Sequence, residues 1–189
     1  RVTATAGGSR SRLRREGRLA ADGTPGAKPT PPLRPAMPRT FAEFAVGDTF
    51  EHGTRDVGAA EIREFAERYD PQSLHVDPEA AAASMYGGLI ASGWHTAAMT
   101  MRLLVDDLLS ETAALGAKGV DELRWDAPVR PGDRLRSRTE IVETVPETAD
   151  RGLVHARTTT AVADAADPDD ARVGEDVFSM VGLVMVARD

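Results

Sequence analysis

The spacing of apolar residues changes for good at Gly116, and that change limits the folds open to this chain. Over residues 59–109 the spacing is helical. Over residues 90–109 the apolar positions Trp94, Ala97, Ala98, Met101, Leu104, Val105, Leu108 and Leu109 recur every three or four residues, which predicts the longest helix of the protein. Residues 59–69 repeat the pattern with Ile62, Phe65, Ala66 and Tyr69. Pro71 closes that helix, because the residue before a proline is driven out of the helical region. Asp77-Pro78-Glu79 reads as a cap followed by proline at the first helical position, opening a short alanine-rich helix over residues 78–85. After Gly116 the spacing is that of strands, predicted over 118–126, 133–145, 152–163 and 175–187. In the second of these, Leu135, Ser137, Thr139 and Ile141 alternate with Arg134, Arg136, Arg138 and Glu140, as a sheet with one wet face requires. The last is apolar on both faces, which suits an inner position or one covered by a partner. One further strand precedes the helices within residues 44–57, after a turn at Gly47-Asp48. Strands in a consecutive run, with helices segregated elsewhere, indicate an α+β fold. Wrapping a curved antiparallel sheet around the long helix is the economical way to bury both.

Composition narrows what such a domain can do. The 189 residues suffice for one domain, and the absence of cysteine excludes disulfides, thiolate metal sites and a cysteine nucleophile. The four histidines show no spacing typical of a metal site, so no metal is expected. No apolar run reaches the roughly 18 residues of a membrane span. The basic start is followed by no apolar stretch of the kind a secretory signal carries, so a cytoplasmic protein is expected. Residues 1–38 hold eight Arg or Lys against two Asp or Glu, a net of +6 in a chain of −7, which leaves −13 on the rest. An acidic body is a poor partner for nucleic acid, whose phosphates need clustered cations. The basic segment itself has almost no large apolar residues and is expected to be disordered. It is either a plain tail, an arm for an anionic surface, or sequence upstream of a true start at Met37, leaving residues 39–189 as the folded domain.

One stretch carries chemistry. Asp70 and His75 lie in the break between two helices, with Asp77 two residues on and Gly87-Gly88 and Ala91-Ser92-Gly93 following. On spacing alone the two residues are either a general acid–base pair aimed at one water molecule or a helix cap beside a surface histidine. Asp77 suits a cap, His95 a packing role beside Trp94, and His52 and His155 fall in strands.

The run DPQSLHVDPEAAAASMYGGLIASGWH, from Asp70 to His95, together with the PVRPGD turn over 128–133, resembles the MaoC-like dehydratases and (R)-specific enoyl-CoA hydratases. That resemblance implies the hot-dog fold, a curved antiparallel sheet around a central helix. It implies that Asp70 and His75 activate the water added to an enoyl thioester, and that the Gly93 N–H, with Ser92 beside it, receives the thioester oxygen. It further implies a lyase without a cofactor, coenzyme A being part of the substrate, and a homodimer or an assembly of dimers. The sequence departs from the family pattern twice: Pro71-Gln72-Ser73 stands where Asn-Pro follows the aspartate, and Ser92 where a histidine precedes the glycine. An acyl-CoA thioesterase of the same fold is the nearest alternative, but such enzymes commonly carry an acid early on the long helix, and this helix has none in its first two turns. The other alternative is a non-catalytic subunit that binds acyl thioesters.

Overall fold

The computed structural model describes residues 37–167 and 169–189, so the expectations for residues 1–36 lie outside the described residues. Five strands form one antiparallel sheet: β1 (Thr49–Asp56), β2 (Ala114–Trp125), β3 (Arg134–Pro146), β4 (Arg151–Asp164) and β5 (Asp176–Ala187). Their order across the sheet is β1-β3-β4-β5-β2, so β1 and β2 are its edges. Between β1 and β2 the chain makes α1 (Ala59–Tyr69), α2 (Ser73–Val76), α3 (Pro78–Ala82) and α4 (Gly93–Asp107). This is the α+β arrangement that the change of spacing predicts, with the doubly apolar last strand lying inside the sheet.

Two apolar clusters fill the space between α4 and the sheet. Met99 and Leu104 pack with Val57, Ile62, Leu135, Val162, Val177 and Phe178 at one end. Leu108 packs with Phe44, Ile141, Val154, Ala156 and Val186 at the other. Between them the inward positions of β3 and β4 are hydroxyls, and each has a partner. Thr160 meets Thr100 at 2.7 Å and Ser137 at 2.8 Å, and Thr139 meets Thr158 at 2.9 Å and His52 at 2.8 Å. A buried hydroxyl costs little once it is hydrogen-bonded, so this seam ties helix to sheet at one register without opening the core.

Three details depart from the sequence reading. The buried side of α4 is His95, Thr96, Met99, Thr100, Leu103 and Leu104, whereas Trp94, Met101 and Val105 of the apolar series face outward. The hydroxyl seam sets that phase, because Thr100 must reach Thr160. β2 starts four residues before the predicted 118, since Gly116 adopts φ +131° inside a register shift and does not end the strand. α3 stops at Ala82, ahead of the turn in which Gly87 takes φ +65°, and the single turn of α2 is too short to show a period.

Candidate active site

The break after α1 and the single turn of α2 place the two predicted residues together. Asp70 ends α1, its N–H donating to the Ala66 carbonyl at 2.8 Å and its backbone leaving the helical region. Its carbonyl takes the Gln72 N–H at 2.8 Å, and the chain turns into α2, which carries His75 inward. The His75 ring is buried and its Nδ1 lies 2.9 Å from the Ile90 carbonyl oxygen. A carbonyl only accepts, so Nδ1 carries the proton and Nε2 of the neutral ring has its lone pair free. That Nε2 stands 3.5 Å from Asp70 Oδ2. Two acceptors facing each other at this distance leave room for a shared proton or a bridging donor.

Asp70 is held by the two residues that depart from the family pattern. Ser92 Oγ donates to Oδ2 at 2.6 Å, and Gln72 Nε2 donates to Oδ1 at 2.7 Å. The Ser92 hydroxyl, foremost, and the Gln72 amide keep the Asp70 carboxyl below the usual carboxylate range, against the partial burial that raises it; His75 lowers it further. Ser92 has a second task. It is the N-cap of α4, where Oγ accepts the Trp94 N–H at 3.2 Å, so one hydroxyl fixes both the helix start and the carboxylate. Expected at the substrate, Ser92 is instead fully buried behind Asp70. The Ser92 contact with Asp70 has no signature in the sequence, because the two are 22 residues apart.

Gly93 opens α4, and as the first helical residue its N–H has no partner within the helix. It lines a cleft of about 480 Å³ together with Asp70, His75, Thr96, Trp125 and Val129. The structure thus brings Asp70, His75 and Gly93 to one space, the side chains at one wall and a helix N-terminus at another. Asp77 is a cap, accepting from the N–H groups of Glu79 and Ala80. His95 is buried and stacks on Phe65 at 4.7 Å, outside the residues that line this cleft.

Comparison with known proteins identifies the family and the fold. Residues 27–165 match the MaoC-like domain. The solved MaoC-like dehydratase from Rhodospirillum rubrum is 40% identical, with a TM-score of 0.70 over 79% of this chain and 97% of that one. The 3-hydroxyacyl-thioester dehydratase Z of Mycobacterium tuberculosis is 33% identical over 64% of this chain and 80% of its own length. The (R)-hydratase PhaJ1 of Pseudomonas aeruginosa, at 23% identity, shares the fold with a TM-score of 0.62 over 79% of this chain and 86% of that one.

Proposed function

This chain belongs to the MaoC-like dehydratase family, and we propose that it reversibly adds water to the double bond of an enoyl thioester, forming the 3-hydroxyacyl thioester. The observation that carries the proposal is the pair of acceptors, His75 Nε2 and Asp70 Oδ2, facing each other 3.5 Å apart beside the start of α4. A water molecule bridging them gives one hydrogen to each, which turns its own lone pairs outward to the substrate. In the forward reaction the water oxygen bonds to the β-carbon while the π electrons move onto the thioester oxygen. The proton released goes to His75 Nε2 and is then delivered to the α-carbon as the enolate collapses, so the ring ends neutral. Asp70 remains a carboxylate throughout and steadies the imidazolium, a task suited to a group whose protonation is already disfavoured. The Gly93 N–H, at the positive end of α4, meets the charge that develops on the thioester oxygen. The relative from Mycobacterium tuberculosis is named for a 3-hydroxyacyl thioester, which supports this substrate class, carried on coenzyme A or on a carrier protein.

No cofactor enters the scheme. The working unit is a homodimer or an assembly of dimers in the cytoplasm. Strand β2 is an open sheet edge with Leu115 and Val120 exposed, and Trp94, Met101 and Val105 expose the outer side of α4, a combination that a second copy would cover. A single-chain mass in sedimentation velocity would exclude that assembly. Among the described residues no helix is long and apolar enough to cross a membrane.

The function is tested by incubating the protein with crotonyl-CoA and longer enoyl-CoAs. Bleaching of the conjugated enoyl-thioester absorbance, with the 3-hydroxyacyl product in the mixture, is the expected result. Release of free coenzyme A instead would assign a thioesterase, and binding without turnover a non-catalytic subunit.

A further inference from the structure

We propose that the indole N–H of Trp125 is a second donor to the thioester oxygen, alongside the Gly93 N–H; this rests on the hydratase reading of the site. Trp125 is the last residue of β2, and its ring lies against the first residue of α4. A Cβ built on Gly93 would lie 2.5 Å from Trp125 Nε1, 2.6 Å from Cε2 and 2.8 Å from Cδ1. No side chain fits there, so glycine at this position admits the pyrrole face of the indole, Nε1 nearest, to the start of the helix. Cβ and N of one residue are about 2.5 Å apart by standard bond geometry, so Nε1 lies within about 5 Å of the Gly93 nitrogen. Two donors each about 2.9 Å from a shared oxygen can be as much as about 5.8 Å apart. The pair therefore satisfies the distance condition for one acceptor.

Position and availability agree. Both residues line the cleft that holds Asp70 and His75. Trp94 meets the Trp125 ring edge-on at 5.3 Å and 79°, which restrains its tilt. No acceptor among the described residues takes the indole N–H. An indole nitrogen can only donate and does not titrate near neutral pH, so it suits an oxygen that gains charge during the reaction. The enolate then has two donors from different elements, one from a helix terminus and one from a strand end.

The test pairs turnover with an observation that needs none. Trp125→Phe keeps an aromatic ring and loses the donor; kcat for crotonyl-CoA hydration should fall about 100-fold with KM within about threefold, the effect typical of deleting one such donor. Trp94→Phe keeps every proposed donor and leaves the Trp125 indole signal alone in the NMR spectrum. With only two tryptophans in the chain, the native protein shows two indole N–H signals by NMR, and the Trp125→Phe variant identifies the Trp125 signal. Butyryl-CoA should move that signal downfield, whereas the thioether S-butyl-CoA, which lacks the carbonyl oxygen, should not. Wild-type kcat in Trp125→Phe, or an indole signal that treats thioester and thioether alike, overturns the proposal. A downfield shift in a protein that bleaches no enoyl-CoA overturns the hydratase reading while leaving the donor in place. Hydration without the shift overturns the donor alone.

Discussion

Two carboxylate–imidazole pairs flank the N-terminal half of α4, and their spacings are nearly the same. Asp70 and His75 stand 3.5 Å apart; Glu61 and His95 stand 3.6 Å apart. Distance does not separate them, but the remaining polar atoms do. In the first pair the far ring nitrogen is fixed on the Ile90 carbonyl, the carboxylate is held by two neutral donors, and both residues line the same cleft as Gly93. In the second, Glu61 is engaged by Arg55, and His95 Nδ1 is buried without a partner among the described residues while the ring is stacked on Phe65. A ring with a fixed tautomer can hand a proton on in a known direction. A ring orphaned at one nitrogen and covered on one face has no such relay.

Removing a member of each pair should therefore give opposite results. Asp70→Asn and His75→Ala are each expected to lower kcat for enoyl-CoA hydration by about 1000-fold or more, since general acid–base groups contribute about 100- to 10,000-fold. Glu61→Gln should leave kcat within about threefold and cost at most about 1 kcal/mol of stability, as half-exposed ion pairs usually do. Thermal melts of all three variants would separate misfolding from lost chemistry. Comparable losses from both pairs would mean that the cleft is shared or that the assignment is reversed.

A smaller effect sharpens the role of the donors behind Asp70. Ser92→Ala deletes the hydrogen bond to Oδ2 and the cap of α4 together. A hydrogen bond to a charged group is worth roughly 1.5–3 kcal/mol, so a loss of about 10- to 100-fold in kcat is expected, along with about 1 kcal/mol of stability from the cap. The pH profile distinguishes the two losses. Donation by Ser92 lowers the Asp70 pKa; without it that pKa rises toward its ordinary 3.8, so the variant loses its carboxylate at a higher pH on the acid side than the wild type does. Gln72→Ala should move the acid limb the same way and by less, because Ser92 is the larger influence. An acid limb that does not move in Ser92→Ala would reduce Ser92 to a cap.

These contacts mark where the sequence stopped being informative. Local spacing carried the elements: residues 59–69 form α1 as predicted, and Leu135, Ser137, Thr139 and Ile141 point inward while Arg134, Arg136 and Arg138 point out. The nearness of Asp70 and His75 was legible because one helix break and one turn set it. The phase of α4 was not, because apolar spacing cannot tell a face that meets the sheet from one left open. Trp94, Met101 and Val105 belong to the same series as Leu104 and Leu108 yet lie outside, while Thr100 is drawn in by the Thr160 hydroxyl of β4. Ser92 and Gln72 stand where the sequence departs from the family pattern. Their side chains share the task of holding Asp70, Gln72 from two residues away and Ser92 from 22, the latter a tertiary contact with no local signature.

The smallest expected effect concerns the second pair and is thermodynamic. Burial lowers the pKa of His95 from its ordinary 6.5, with Glu61 opposing, so the folded protein favours the neutral ring. A base whose folded pKa lies below its unfolded one gives its full stability above pH 6.5 and loses it as pH falls through the interval beneath. His95→Phe keeps an aromatic ring for Phe65 to stack on and removes both the titration and the unpartnered Nδ1. At pH 7.5 the variant should melt close to the wild-type temperature, since Nδ1 has no hydrogen bond to lose among the described residues and the 3.6 Å contact of Nε2 with half-exposed Glu61 contributes little. Between pH 6.5 and 5 its Tm should fall less steeply than that of wild type. It should not become flat, because burial lowers the pKa of His52 as well and that residue titrates in the same direction. Hydration activity should stay within about threefold. A Tm profile parallel to wild type would show that His95 is not the group whose protonation the fold resists, and a 100-fold loss of kcat would move it into the catalytic machinery and erase the contrast between the two pairs.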